Sequence, residues 1–196
     1  MNPDPASTRA TLSRGRLALR YVWRWTRGVL ALIGALTLIF HVCFLSSRMT
    51  SPSMHPTLQG TSWDDGDQVL TERVTYRFRA PRRWEVVTIR RPDGSVNMKR
   101  VVAFGGETIR IDKTGHVFIN EQPVDRPASL SHLRYYPIGN LEGDRVFRVE
   151  RGYYLLGDDS KDSDDSRYNG AVSPDRLIGR AWLIVFPWSR IGRVQP

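Results

Sequence analysis

Asn97-Met98-Lys99-Arg100-Val101-Val102-Ala103-Phe104-Gly105-Gly106-Glu107 is the stretch on which the fold turns. Its β-branched and apolar residues run up to a Gly-Gly break, the pattern of a strand closed by a turn. On the alternation of a strand, Lys99 shares a face with Val101 and Ala103, and Arg100 with Val102 and Phe104. Around it lie further short runs of the same kind: Gln68 to Val74, Glu85 to Ile89, Thr108 to Ile111, Val117 to Ile119, Arg145 to Val149, Tyr153 to Leu156 and Ala181 to Phe186. Asp93-Gly94 and Lys113-Thr114-Gly115 separate neighbouring runs at hairpin spacing, which predicts antiparallel pairing. With no internal repeat and no long amphipathic helix here, the expected fold is an all-β domain of coiled antiparallel sheets. The unpatterned segment from Asn120 to Gly143, with its three prolines, is expected to be a surface excursion between strands.

Upstream, no side chain from Gly28 to Ser47 carries a full charge. Roughly twenty helical residues cross the ~30 Å hydrocarbon layer, so 28–47 is expected to be one transmembrane helix. The run exceeds the apolar core of a cleavable signal peptide, and no small-x-small site follows it. Six arginines and one aspartate precede it, flanked by Tyr21, Trp23 and Trp25, residues suited to a membrane interface. The expected organisation is a cytoplasmic Arg-rich segment over 1–27, the span, and an extracytoplasmic domain over 48–196 in the cell membrane. Of the net charge of +9, +5 lies ahead of the span, which argues against a nucleic-acid partner. Cys43 is the only cysteine, so no intrachain disulfide can form. His41, His55, His116 and His132 are scattered, without the spacing of a zinc site, and neither a metal nor a cofactor is expected.

Just past the span stands Ser51-Pro52-Ser53-Met54-His55-Pro56-Thr57-Leu58. On local composition this is a Pro-rich linker; as chemistry, Ser53 is a candidate nucleophile that needs a base and oxyanion donors elsewhere. His55 is close in sequence but constrained by Pro56. Lys99 is the stronger base, because burial among apolar neighbours can lower a lysine pKa by up to ~3 to 5 units. Taken alone, it reads as a solvent-facing edge-strand lysine. The third feature, Gly157-Asp158-Asp159-Ser160-Lys161-Asp162-Ser163-Asp164-Asp165-Ser166-Arg167, lacks the glycine and closing glutamate of an EF-hand and reads locally as a solvated acidic loop.

Together these three segments, in this order behind an outward-facing anchor, resemble type I signal peptidases, membrane-anchored Ser/Lys proteases that remove signal peptides from exported proteins. The resemblance extends over about residues 48–186. It implies Ser53 as nucleophile, Lys99 as general base, and the Ser51 hydroxyl with the Ser53 N–H as the oxyanion hole. Ser163 is implied to orient the lysine, and Asp165 with Arg167 to brace the site. Exported preproteins bearing signal peptides, with small residues at the first and third positions before the cut, are the implied partners, along with the lipid bilayer. No cofactor is implied. Asp159, Ser160 and Lys161 depart from the usual Asn, Arg and Asp, Trp84-Glu85 stands in place of Gly-Asp, and the loop after Leu58 is longer. Two rival readings are a specialised processing peptidase of a conjugation or secretion system and a catalytically silent β-domain used for binding.

Overall fold

Helix α1 (Pro5–Cys43) passes directly into strand β1 (Phe44–Arg48), and the change of conformation at that junction organises the chain. A computed structural model of the protein describes residues 5–195, with side chains from Leu19 onward. Asp4 and the side chains of Arg9, Arg14 and Arg16, which entered the orientation argument, lie outside the described residues. The chain divides into two units, Met1–Val42 and Cys43–Pro196.

Over its described residues the first unit is helical. The stretch Leu19–Cys43, which runs to the first residue of the second unit, is long and apolar enough to cross a membrane. At 1.5 Å per residue those 25 residues extend roughly 37 Å, more than the ~30 Å hydrocarbon layer. The helix ends four residues before the expected limit at Ser47. Phe44 to Arg48 instead pair antiparallel with Glu72 to Gln68, and the Cys43 carbonyl accepts the Arg73 N–H at 2.8 Å. Hydropathy alone does not separate an apolar residue in lipid from one such as Phe44, which stacks on Trp182 at 5.8 Å.

The second unit is built of strands β1, β2 (Gln68–Glu72), β3 (Val86–Arg90), β4 (Val96–Phe104), β5 (Thr108–Ile111), β6 (Val117–Ile119), β7 (Gln122–Pro123), β8 (Phe147–Arg148), β9 (Tyr153–Leu156), β10 (Leu177–Phe186) and β11 (Gly192–Arg193). A seven-stranded sheet has the order β1-β2-β10-β3-β4-β9 with β11 beside β10, and a four-stranded sheet runs β7-β6-β5-β8. Every named strand pair is antiparallel, as the hairpin spacing predicted. A short helix α2 (Ser166–Asn169) follows β9.

Alternation along β3 and β4 distributes side chains between cores. Met98 and Val86 join Met49, Met54, Leu58 and Ile184, whereas Val87, Ile89, Val101 and Leu155 form a second cluster. Strict alternation fails past Val101, where the β4–β9 register shifts between Val101 and Ala103. That irregularity puts Val102 and Ala103 in the same third core, with Ile109, Ile111 and Tyr154, so Ala103 does not share the Lys99 face. The segment from Asn120 to Gly143 is not a surface excursion either. It carries β7 and drives Leu130, Leu133, Tyr135 and Leu141 into that third core. Its apolar residues are spaced by 3-10 turns, which leaves neither a strand nor a helix period to read.

Candidate active site

Ser53 occupies a one-turn 3-10 helix, Pro52–Met54, entered from an extended Ser51. Proline suits the first turn because its fixed φ is already helical and its missing N–H would have no partner there. The N–H of Ser53 falls among the groups of a first turn that lack an intrahelical acceptor. Met54 and Leu58 anchor the turn in the core, which leaves the Ser53 hydroxyl facing β4.

Lys99 lies opposite Val87 on β3 and is 2% exposed. Its Nζ donates to Ser53 Oγ at 2.7 Å and to Asn97 Oδ1 at 3.4 Å. Burial is the largest influence on the ammonium and lowers its pKa from the ordinary 10.5 to about 8, against the opposing pull of Asp165; Arg91 lowers it further. Ser51 Oγ is 3.2 Å from Ser53 Oγ, so a hydroxyl, a hydroxyl and an amine form one chain.

The segment after β9 closes the site. The Ser53 carbonyl accepts the Asp159 N–H at 3.2 Å. A Cβ on Gly157 would overlap both that carbonyl and Ser163 Oγ, so only glycine lets the two loops meet. Ser163 is buried, yet among the described residues its hydroxyl has no hydrogen-bond partner, Lys99 included. The second partner of the ammonium is Asn97, which the motifs did not single out. Asp165 and Arg167 form a fully buried fork: Arg167 Nε donates to Oδ1 at 2.9 Å and Nη2 to Oδ2 at 2.6 Å. Asp165 Oδ2 also accepts the Gly157 N–H at 2.9 Å, tying the fork to the turn against Ser53. Arg167 reaches Ser160 Oγ as well, which gives a partner to one of the positions that depart from the resemblance. His55 has no hydrogen bond to Ser53 among the described residues, its backbone N–H going to the Pro52 carbonyl.

A second buried fork was missed in the sequence. Arg100 Nε and Nη2 each donate to Asp158 at 2.7 Å, Arg100 also reaches Thr57 Oγ1 at 3.2 Å, and Tyr135 OH donates to Asp158 at 3.3 Å. Its signal was present: an arginine on the same strand face as Met98 and Val102 needs a buried acid, and Asp158 comes one glycine after the apolar strand Tyr153–Leu156. Beside Lys99 a cleft of about 220 Å³ opens, lined by the buried Ile89, Leu155 and Val172 and by Asn97, Arg91 and Asp164. Arg91 and Asp164 are ion-paired at 2.7 Å, and this bond chiefly holds the Asp164 carboxyl below its ordinary range.

A hydroxyl at hydrogen-bonding distance from a buried, pKa-lowered amine is an arrangement suited to acyl transfer. Residues 22–188 match the family described as signal peptidase, peptidase S26. The chain belongs to that family. Signal peptidase I V of Bacillus subtilis is 29% identical over 161 residues, covering 78% of this chain and 91% of that protein. A probable signal peptidase I-1 of Synechocystis is 30% identical over 175 residues, covering 85% of this chain and 83% of that protein. A solved structure of a signal peptidase I from Enterococcus faecalis is 26% identical, with a TM-score of 0.43 over 52% of this chain and 97% of that one. For this member of the peptidase family, the match takes in α1 from Val22 as well as the whole Ser53–Arg167 constellation.

Proposed function

We propose that the protein is a membrane-bound serine endopeptidase that removes signal peptides from exported preproteins, with Ser53 as nucleophile and Lys99 as general base. The 2.7 Å approach of Lys99 Nζ to Ser53 Oγ in a buried site is the observation that carries this reading. In the neutral amine the hydrogen bond reverses: Lys99 accepts the Ser53 proton as Oγ attacks the scissile carbonyl. The Ser53 N–H and the Ser51 hydroxyl then stabilise the oxyanion, for which Ser51 turns from Ser53 Oγ toward the substrate. Protonated Lys99 delivers its proton to the leaving amine, the acyl-enzyme forms, and water releases it by the same base catalysis. No step calls for a metal or cofactor.

Asp165 and Arg167 act by bracing the turn at Gly157, and Ser163 supplies a buried hydroxyl at the same turn. The substrate lies extended along the sheet, where main-chain hydrogen bonds give affinity and the cleft beside Lys99 receives a small side chain. In this reading residues 1–27 stay in the cytoplasm, the span crosses the cell membrane, and the β unit that begins with Phe44 works outside, next to the place where a signal helix ends.

The test is cleavage of a purified preprotein by the full chain in detergent or vesicles, with the new N-terminus sequenced. Wild type is expected to cut once, after the signal peptide, and Ser53→Ala and Lys99→Ala are expected to be inactive while folded. Wild-type rates in both variants would refute the assignment.

A further inference from the structure

Lys99 is surrounded by acids that do not bind it. Besides burial, the charges that act on its ammonium are Asp165, Arg91, Asp164 and Asp158. Each of the three acids has an arginine of its own: Asp158 pairs with Arg100 at 2.7 Å, Asp165 with Arg167 at 2.6 Å and Asp164 with Arg91 at 2.7 Å. Among the described residues Lys99 Nζ has two hydrogen-bond partners, the Ser53 hydroxyl and Asn97 Oδ1. The Ser163 hydroxyl, which the family resemblance implies as the group that orients the lysine, packs against Gly157 instead and has no partner there. The second place on the amine belongs to Asn97.

Asn97 stands two residues before Lys99 on β4, so alternation puts both side chains on one face, and both line the cleft of about 220 Å³. Its amide is held in one orientation, because Oδ1 accepts the Met98 N–H at 2.8 Å as well as the lysine at 3.4 Å, and both neighbours are donors. The lysine contact is long for a hydrogen bond, as catalytic contacts often are before substrate closes a site.

A neutral amine carries two N–H bonds and one lone pair, and only the lone pair can take the Ser53 proton. An amide oxygen accepts and cannot donate, so by holding one N–H it leaves the lone pair for Ser53 Oγ; a serine hydroxyl can donate to that lone pair and block it. A carboxylate would orient the amine equally well, but an opposite charge at that distance raises a lysine pKa by about 1 to 3, which keeps the proton on. An uncharged acceptor avoids both faults.

We propose that Asn97 is a positioning residue for the peptidase reaction: its side-chain oxygen holds one N–H of neutral Lys99 and so aims the nitrogen lone pair at Ser53, while its lack of charge leaves the amine free to lose its proton. The proposal rests on the reading of Ser53 as nucleophile and Lys99 as base.

The chain has three lysines, Lys99, Lys113 and Lys161, and the last two are exposed. The full chain in detergent micelles, labelled with carbon-13 at the lysine ε-carbon, therefore gives three NMR signals that can be titrated directly, Lys99 being assigned by its loss in Lys99→Met. Asn97→Asp is expected to raise the Lys99 midpoint by about one pH unit or more, and Asn97→Leu, of similar size but without an acceptor, is expected not to raise it. Unmoved Lys113 and Lys161 signals report an intact fold. In parallel cleavage assays Asn97→Asp is expected to be about tenfold slower at pH 7 and to regain the wild-type kcat at alkaline pH, since orientation is kept and only the proton is held more tightly. Asn97→Leu is expected to lose about ten- to a hundredfold in kcat at every pH with KM unchanged. A Lys99 midpoint that ignores Asn97→Asp, or a wild-type kcat in Asn97→Leu, would overturn the proposal and leave Ser53 and Lys99 in their roles. Failure of the wild type to cut any preprotein would overturn the peptidase reading, and the proposal with it.

Discussion

Lys99 illustrates how one burial changes what a residue can do. At pH 7 a lysine of pKa about 8 is neutral in about a tenth of molecules, roughly 300-fold more than one at the ordinary 10.5. The same shift bears on stability. Because the folded pKa is depressed, the unfolded chain binds more protons between about pH 8 and 10.5, and stability rises with pH across that window. Lys99→Met is expected to remove this rise, worth about 3 kcal/mol, and parallel melting curves of wild type and variant over the window would contradict the assigned burial. Ser51→Ala is expected to lower kcat by ~10²- to 10³-fold with little change in KM, the signature of a lost oxyanion donor. An unchanged kcat would leave Ser51 without a role. That Ser53 and Lys99 come together was legible in the sequence, because a serine and a lysine are conspicuous residue types in recognisable segments. Asn97 was not, since its amide matters only through the distance to Lys99 Nζ, which no periodicity encodes.

At the scale of elements, β4 does two jobs from its two faces. One face presents Lys99 to Ser53, and the other sends Arg100 into the fork with Asp158. Removing one partner of a buried pair leaves an uncompensated charge, so Asp158→Ala is expected to cost ~3 to 5 kcal/mol, read as a lowered melting temperature. A melting point equal to wild type would show that the pair is dispensable. Gly157→Ala is expected to push apart the Ser53 and Ser163 loops and reduce kcat ~100-fold, since small displacements of reacting groups are that costly; wild-type turnover would contradict the close packing. The strand from Val96 to Phe104 and its antiparallel partners could be read directly from β-branched runs and turn residues. The register shift at Ala103 could not, because it depends on how β9 pairs, and β1 was hidden because its apolar residues continue the hydropathy of the helix before it. Leu130, Leu133, Tyr135 and Leu141 were obscured for a different reason: irregular turns bury residues without any fixed period.

Across the whole molecule, a membrane-spanning helix is joined to an antiparallel β unit whose candidate site begins a few residues after the anchor. The arginine-rich N-terminal side predicts the orientation. Protease added to intact spheroplasts is expected to degrade the part after residue 48 and spare an N-terminal tag; protection of the β unit with loss of the tag would reverse the topology.

The central claim is that neutral Lys99 activates Ser53, and the pH dependence of kcat/KM for preprotein cleavage tests it most directly. The account predicts a rate that rises with pH through a single ionisation near 8, the point to which burial lowers the Lys99 ammonium. A rate that is flat from about pH 6 to about pH 10, or one that levels off near the ordinary histidine pKa of about 6.5, would contradict it.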